Sequence, residues 1–287
     1  MLKSVIMLLA AGALFSNICA ASKELLVDQE NPKKWTGKVE FSAENARKFG
    51  PCFVLYGSYP TPLMYNDFIK INPDKRYIYK VKLRTLDPAL PASGYIGFQL
   101  YDAKKRPLKF LHVVHVGLNL SEVISAKKGD KFMIVKIIPN FARIRNLRPA
   151  FHAKEDCSDI PNFDLASPCK KVEKTADGNL RLELAKPLAK DYPAGTSIRF
   201  HSPYGPPMYY LASGWMPAGE GKECVAILDG ISDQPGATSK KFWKGTAYAK
   251  PFVWFGNYNR KPQKGAKLLV DGFSLIETDQ PSVSDKK

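Results

Sequence analysis

Aromatic side chains crowd two short stretches of this sequence. Tyr204, Tyr209, Tyr210 and Trp215 fall within a dozen residues, among Pro203, Pro206 and Pro207. Trp243, Trp254, Tyr258 and Arg260 form a second group, with Asn257 and Asn259 beside them. Flat ring faces next to hydrogen-bonding side chains suit a pyranose, whose C–H face stacks on Trp or Tyr while its hydroxyls bond to Arg, Asn or carboxylates. Proline- and glycine-rich context reads as loop. Tyr204, Tyr209, Trp215, Trp243, Tyr258 and Arg260 are therefore the candidate binding residues, each weighed against plain core packing. Core packing is the stronger reading for Trp254 and Phe252, which lie in an apolar run. Tyr56, Tyr59 and Tyr65 make an earlier group, in a Gly/Pro stretch that could border a groove.

Catalytic patterns are thinner. His201 stands near Arg199 and Tyr204, an acid/base set suited to eliminating across a uronic acid. Glu220, Glu223, Asp229 and Asp233 supply carboxyls, which glycoside hydrolysis needs in a pair about 5–10 Å apart. The chain has no Gly-x-Ser-x-Gly elbow, no His-Glu-x-x-His pair and no phosphate-binding glycine loop. His112 and His115, three apart in an expected strand, point to opposite faces. No catalytic residue is assigned. Reversible binding is the expected mechanism; the alternatives are a lyase or hydrolase on the same scaffold, or a non-catalytic envelope or adhesion protein.

Lys3, the apolar run from Val5 to Phe15 and the small residues around Ala20 read as a signal peptide over residues 1–21, too short for a resident membrane span. The mature chain is expected to be secreted or periplasmic, without a membrane span. It keeps Cys52, Cys157, Cys169 and Cys224, for which two disulfides are expected; four cysteines allow three pairings, and Cys157 with Cys169 is the simplest. No pair has the two-residue spacing of a zinc knuckle. Lys and Arg number 43 against 27 Asp and Glu, a net charge of +16 that favours anionic partners. The cations are scattered as short pairs such as Lys33-Lys34 and Lys127-Lys128, not gathered on one helix, which with export argues against nucleic acid.

The elements that position these residues read as strands. Period-two alternation is clearest from Arg76 to Arg84, with Tyr77, Tyr79, Val81 and Leu83 on one face and cations on the other. Tyr95 to Tyr101 repeats it, and Asp102 to Lys105 reads as its exit turn. Further strands are expected over 38–42, 52–56, 110–116, 131–138, 179–184, 196–201, 208–212, 224–229, 252–255 and 267–276. Only Glu44 to Phe49 suggests a helical turn. Many short strands punctuated by Pro and Gly make an all-β fold, an antiparallel β-sandwich or jelly roll. Residues 140–174, weakly periodic, read as an insertion loop.

Three stretches resemble the jelly-roll carbohydrate-binding modules of families four and nine and their secreted bacterial relatives. They are Ile71 to Val81 with Gly97 to Asp102, Trp243 to Lys250, and the closing run Leu268-Leu269-Val270-Asp271-Gly272-Phe273-Ser274-Leu275. The resemblance implies one jelly-roll domain over 22–287 with an insertion at about 117–212. It further implies a polysaccharide or cell-surface glycan as partner, acidic glycans included, and a structural calcium ion with Asp271 as a ligand. Gly272 stands where relatives often carry a second Asp, a departure that bears directly on that calcium site.

Overall fold

The computed structural model describes residues 22–37, 39–41, 52–56, 62–85, 92–117, 119–205, 209–216, 221–238, 240–256 and 265–279. Its first strands are β1 (Lys23–Glu24), β2 (Trp35–Thr36), β3 (Val39–Phe41), β4 (Phe53–Tyr56), β5 (Leu63–Tyr65), β6 (Ile69–Lys70), β7 (Lys75–Thr85), β8 (Ala92–Tyr101) and β9 (Pro107–Leu108). A single helical turn, α1 (Phe110–Val113), leads into β10 (Ser121–Ser125), β11 (Phe132–Val135), β12 (Arg148–Phe151), β13 (Cys169–Lys174), β14 (Leu180–Leu184) and β15 (Ser197–His201). The chain closes with β16 (Tyr209–Met216), β17 (Gly221–Asp229), β18 (Tyr248–Gly256) and β19 (Lys267–Asp279).

Two antiparallel sheets face each other. The first has the order β17-β7-β19-β4-β3, with β1 on β19; the second has β16-β8-β18-β5-β2, with β6 on β18 and β9 on β8. Leaving out the residues between β9 and β16, consecutive long strands fall to alternate sheets, except that β8 and β16 are neighbours in the second. This is the strand order of a jelly roll, as the alternation predicts. Along β7, every second residue from Tyr77 to Thr85 is buried. Tyr77, Tyr79, Val81 and Leu83 meet Ile96, Phe98 and Leu100 of β8 and Leu268, Val270 and Leu275 of β19 in one core. At Gly97 the second sheet closes so tightly that a Cβ would lie 2.0 Å from the Tyr209 carbonyl oxygen.

Residues 140–174 depart from the expected loop by contributing β12 and β13. With β11, β14 and β15, which fall where strands are expected, and with β10, they form a third sheet, β12-β15-β10-β11-β14-β13, with a core of its own built on Val123, Met133, Val135, Phe151, Leu182 and Phe200. Phe151 stacks on Tyr192 with ring centroids 3.4 Å apart, and the Tyr192 hydroxyl donates to Asp164. The expected strand at 110–116 is also replaced: Phe110–Val113 is helical because His112 Nδ1 accepts from the Lys109 amide and the Val114 amide returns to the Phe110 carbonyl. The suggested helical turn at Glu44 to Phe49 lies outside the described residues. Among them no helix is long and apolar enough to cross a membrane.

The insertion's loop 152–165 docks back onto the sandwich. Ile160 joins the sandwich core, with Cys157 and Phe163 packed against it. His115 bridges His201, and Lys244 Nζ donates to the Cys157 carbonyl. This arrangement overturns the expected disulfides. All four described cysteines are free thiols, and Cys157 packs against the sandwich core while Cys169 is buried in the insertion core.

Candidate functional site

On the second sheet, Ile96, Phe98 and Leu100 point into the core, so the intervening residues of β8 face outward. On that side of the sheet β18 places Trp254 opposite Tyr95, Phe252 opposite Gly97, Lys250 opposite Gln99 and Tyr248 opposite Tyr101, with Phe252, Gly97 and Gln99 buried between the two ends. The side chains left partly exposed on this side, where polar residues are ordinarily found, are largely aromatic. The Tyr95 and Trp254 rings lie 5.6 Å apart, and Phe68 meets Tyr101 at 4.8 Å and Tyr248 at 6.0 Å, both edge-on. Tyr95, Trp254, Tyr101 and Tyr248 are each half-buried, and Phe68 is exposed.

Two lysines sit on this aromatic cluster. Lys250 Nζ is 4.1 Å from the Phe68 ring centroid, and Lys105 Nζ is 4.8 Å from the same ring and 5.6 Å from Tyr248. Lys105 is held there by the turn at Asp102, whose Oδ1 accepts from the Lys104 and Arg106 amides and whose Oδ2 accepts from Arg106 Nε. The exit turn read from the sequence is thus made by one carboxylate. Burial, and then the Lys105 charge, hold the Lys250 ammonium below the ordinary lysine range against the opposing pull of Asp67. Two cations over one ring, with their charge only partly met, attract an anion.

At Phe68 the face runs into a groove of about 650 Å³, lined by Lys23, Glu24, Asp67, Lys70, Asn72 and Glu277 among others. Tyrosine hydroxyls brace its lining residues: Tyr65 donates to the Val27 carbonyl, and the buried Tyr77 donates to Glu277 while accepting from the Asn72 amide. Polar groups on both walls and an aromatic at the mouth give this groove the means to bind hydroxyls and hold a flat apolar face.

The sequence-expected binding residues are dispersed. Tyr204 is 65% exposed. Tyr209 and Trp243 are buried at 5% and 1% exposure and lie 5.4 Å ring to ring, which leaves them no face for a ligand. Both stand in Pro- or Gly-bearing stretches that pack inward, so local context misreads them. Trp215 is paired by register with Ser93, and Tyr258 and Arg260 lie outside the described residues. Tyr65 is core and Tyr56 is half-buried, with Tyr59 outside the described residues. His201 is fully buried, with Nδ1 against the Leu111 carbonyl oxygen at 2.9 Å, which keeps it from the polymer chemistry its neighbours suggested. Of the acidic candidates, Asp229 is paired with Arg76, and Glu220 lies outside the described residues.

Asp271 is buried, raised in pKa chiefly by burial, with Arg84 and Lys82 pulling the other way. Arg84 Nε lies 3.5 Å from its Oδ2. Cations on that side do not suit a calcium ion, and no group of three His, Cys, Asp or Glu with metal-binding geometry occurs among the described residues. Gly272 follows at a bulge with φ of +60°, a left-handed conformation that glycine adopts without strain. No family of known proteins, no curated protein and no solved structure matches the chain.

Proposed function

We propose that the chain binds a saccharide, reversibly, on the outer face of its second sheet, and that the preferred ligand is acidic. The observation that carries this reading is the partly exposed aromatic cluster of Phe68, Tyr101 and Tyr248, crossed by Lys250 and Lys105, with Tyr95 and Trp254 half-buried at the other end of the same side of the sheet. Aromatic rings stack on the C–H faces of sugar rings. The two ammonium groups meet a carboxylate or sulfate on the same residue or the next. The groove beside Phe68 adds polar lining groups next to this cluster. The jelly-roll strand order and the motifs that resemble carbohydrate-binding modules support the same assignment, and the net charge of +16 supports the acidic preference.

Affinity electrophoresis through gels carrying a polyuronate, a sulfated glycan or a neutral polysaccharide tests it. Retardation by the acidic polymers is expected, with affinity falling about fivefold for Tyr248→Ala, since a stacking contact contributes about 1 kcal/mol, and falling also for Lys250→Ala, which removes one ammonium from the face. A salt-resistant part must remain, because stacking is not screened as charge is. Retardation that disappears wholly with salt, or is unchanged in Tyr248→Ala, overturns the reading.

A further inference from the structure

The strongest chemistry outside the sheet face lies where the insertion meets the sandwich. Cys157 Sγ accepts a hydrogen bond from Arg199 Nη1 at 3.1 Å and stands 3.9 Å from His115 Nε2. The three residues line a surface cleft of about 360 Å³, with Asn119, Leu120 and Glu155 completing it. They come from three separate parts of the chain: His115 follows α1, Cys157 is in the docking loop, and Arg199 is on β15.

Each is fixed in place. Arg199 is 3% exposed; its Nη1 also donates to the Lys154 carbonyl, its Nη2 donates to Asp159 at 2.5 Å, and its Nε is buried with no hydrogen-bond partner. Although burial opposes it, hydrogen bonds led by Asn162 and joined by Arg199 hold the Asp159 carboxyl below its ordinary range. Arg199 is thus a charged donor anchored by a carboxylate. Cys157 itself has a φ of +57°, the left-handed region that costs a side-chain-bearing residue energy, and its loop is braced by bonds from the Ser158 amide to Asp156 and from the Lys154 amide to Asp159. His115 Nδ1 lies 3.5 Å from the Val116 carbonyl oxygen, so a proton there leaves Nε2 as the acceptor facing the sulfur.

We propose that Cys157 is a nucleophile that takes an acyl group as a thioester, with His115 as its acid/base and Arg199 as the donor to developing negative charge. The assignment does not depend on the saccharide reading. A thiol beside an imidazole and a guanidinium suits acyl transfer. Disulfide exchange needs a second thiol, and the other three described cysteines are buried, Cys224 inside the sandwich core and Cys169 and Cys52 in separate clusters; burial pushes Cys169 up to about 12.

The step balances without a further reactant. His115 Nε2 takes the thiol proton as Sγ bonds to the carbonyl carbon of an ester, and Arg199 meets the oxyanion. The carbon–oxygen bond of the ester then breaks, and the His115 proton goes to the departing alkoxide, which leaves as an alcohol. Water or a second alcohol attacks the thioester, the carbon–sulfur bond breaks, and the thiol is restored.

The test uses the full chain with 4-nitrophenyl acetate as the probe ester. A burst of nitrophenolate is expected, with a mass gain of one acetyl group mapped to Cys157, and with Cys52, Cys169 and Cys224 unmodified. Cys157→Ser abolishes the burst, and His115→Gln slows acylation by about 100-fold, as loss of a general base does. Arg199 is buried, so Arg199→Lys is read only if its thermal melt matches the parent's, whereas half-exposed His115 keeps the test decisive. Acylation of Cys157 no faster than that of glutathione at the same pH overturns the proposal. So does a folded His115→Gln chain that acylates at the parent rate.

Discussion

His201 gives the sharpest test of how the insertion is joined to the sandwich. It is fully buried on β15, and its pKa is lowered from 6.5 to about 4, mainly by burial, with the Arg199 and His115 charges adding to the fall and the Leu111 carbonyl and Asp159 opposing it. Between pH 6.5 and 4 the unfolded chain binds a proton at this residue and the folded chain does not. Stability therefore falls as pH falls through that window and levels off below it. A shift of that size, at about 1.4 kcal/mol per pKa unit, makes the loss about 3 kcal/mol for this one group. His112, also lowered to about 4 chiefly by burial, adds to the parent's loss in the same direction. The perturbation is His201→Asn, whose amide nitrogen replaces the Nδ1 donor to Leu111 without the titration. Urea unfolding at a series of pH values from 7 to 4, with the m-value held as a check on two-state behaviour, measures it. The parent should lose about 3 kcal/mol more than the variant across the window. Parallel curves would refute the claim that a neutral imidazole is buried at the junction.

Two further predictions test the packing. Gly97→Ala places a methyl 2.0 Å from the Tyr209 carbonyl oxygen and 3.0 Å from the Phe252 ring, so the β8–β16 pairing must open; a loss of about 1–3 kcal/mol is expected, and a melting temperature equal to the parent's would sink the argument. Phe151→Ala removes a fully buried ring from the insertion core and should cost about 3–5 kcal/mol. All four tryptophans lie outside the insertion, so its unfolding should register in far-ultraviolet circular dichroism before tryptophan fluorescence changes; coincident transitions in this variant would mean the two cores fold as one.

Much of the fold is legible because β7 buries one face and shows it as alternation, and the sequence of β8 alternates in the same way. Two strands without that contrast were not read. The edge strand β13, Cys169–Lys174, buries only Cys169, and β12, Arg148–Phe151, is buried at three successive residues and contains Pro149. Together they made a sheet look like a loop. The candidate face was hidden for the opposite reason: Phe252, Val253 and Phe255 are buried from both sides of β18, so Trp254 looked like one more core residue in an apolar run. The signal that could have found it lies on β8, where Tyr95 and Tyr101 stand out of phase with Ile96, Phe98 and Leu100. The thiol site has no such trace, since His115 and Cys157 are 42 residues apart and meet only through the docking loop.

The position of the insertion shows how one jelly roll can carry the sheet face and the thiol cleft together. It leaves after β8 and returns at β16, and these two strands pair along the second sheet from Phe98 with Tyr209 to Ala92 with Met216. Its ends are therefore held close together by the sandwich, and the entropic cost of closing so long a segment is met by strand pairing that the sandwich requires anyway. The segment is then free to build its own core, as it does. The docking loop is the exception, because Cys157, Ile160 and Phe163 pack on the sandwich and not on the insertion core. Cys157 is consequently positioned by contacts from both bodies: Arg199 from the insertion sheet, and Lys244 from the sandwich. A variant that loosens the junction alone, such as Lys244→Ala, should then slow acylation at Cys157 while leaving the aromatic face of β8 and β18 and its affinity for acidic saccharide intact. Loss of both together would show that the two sites work as one.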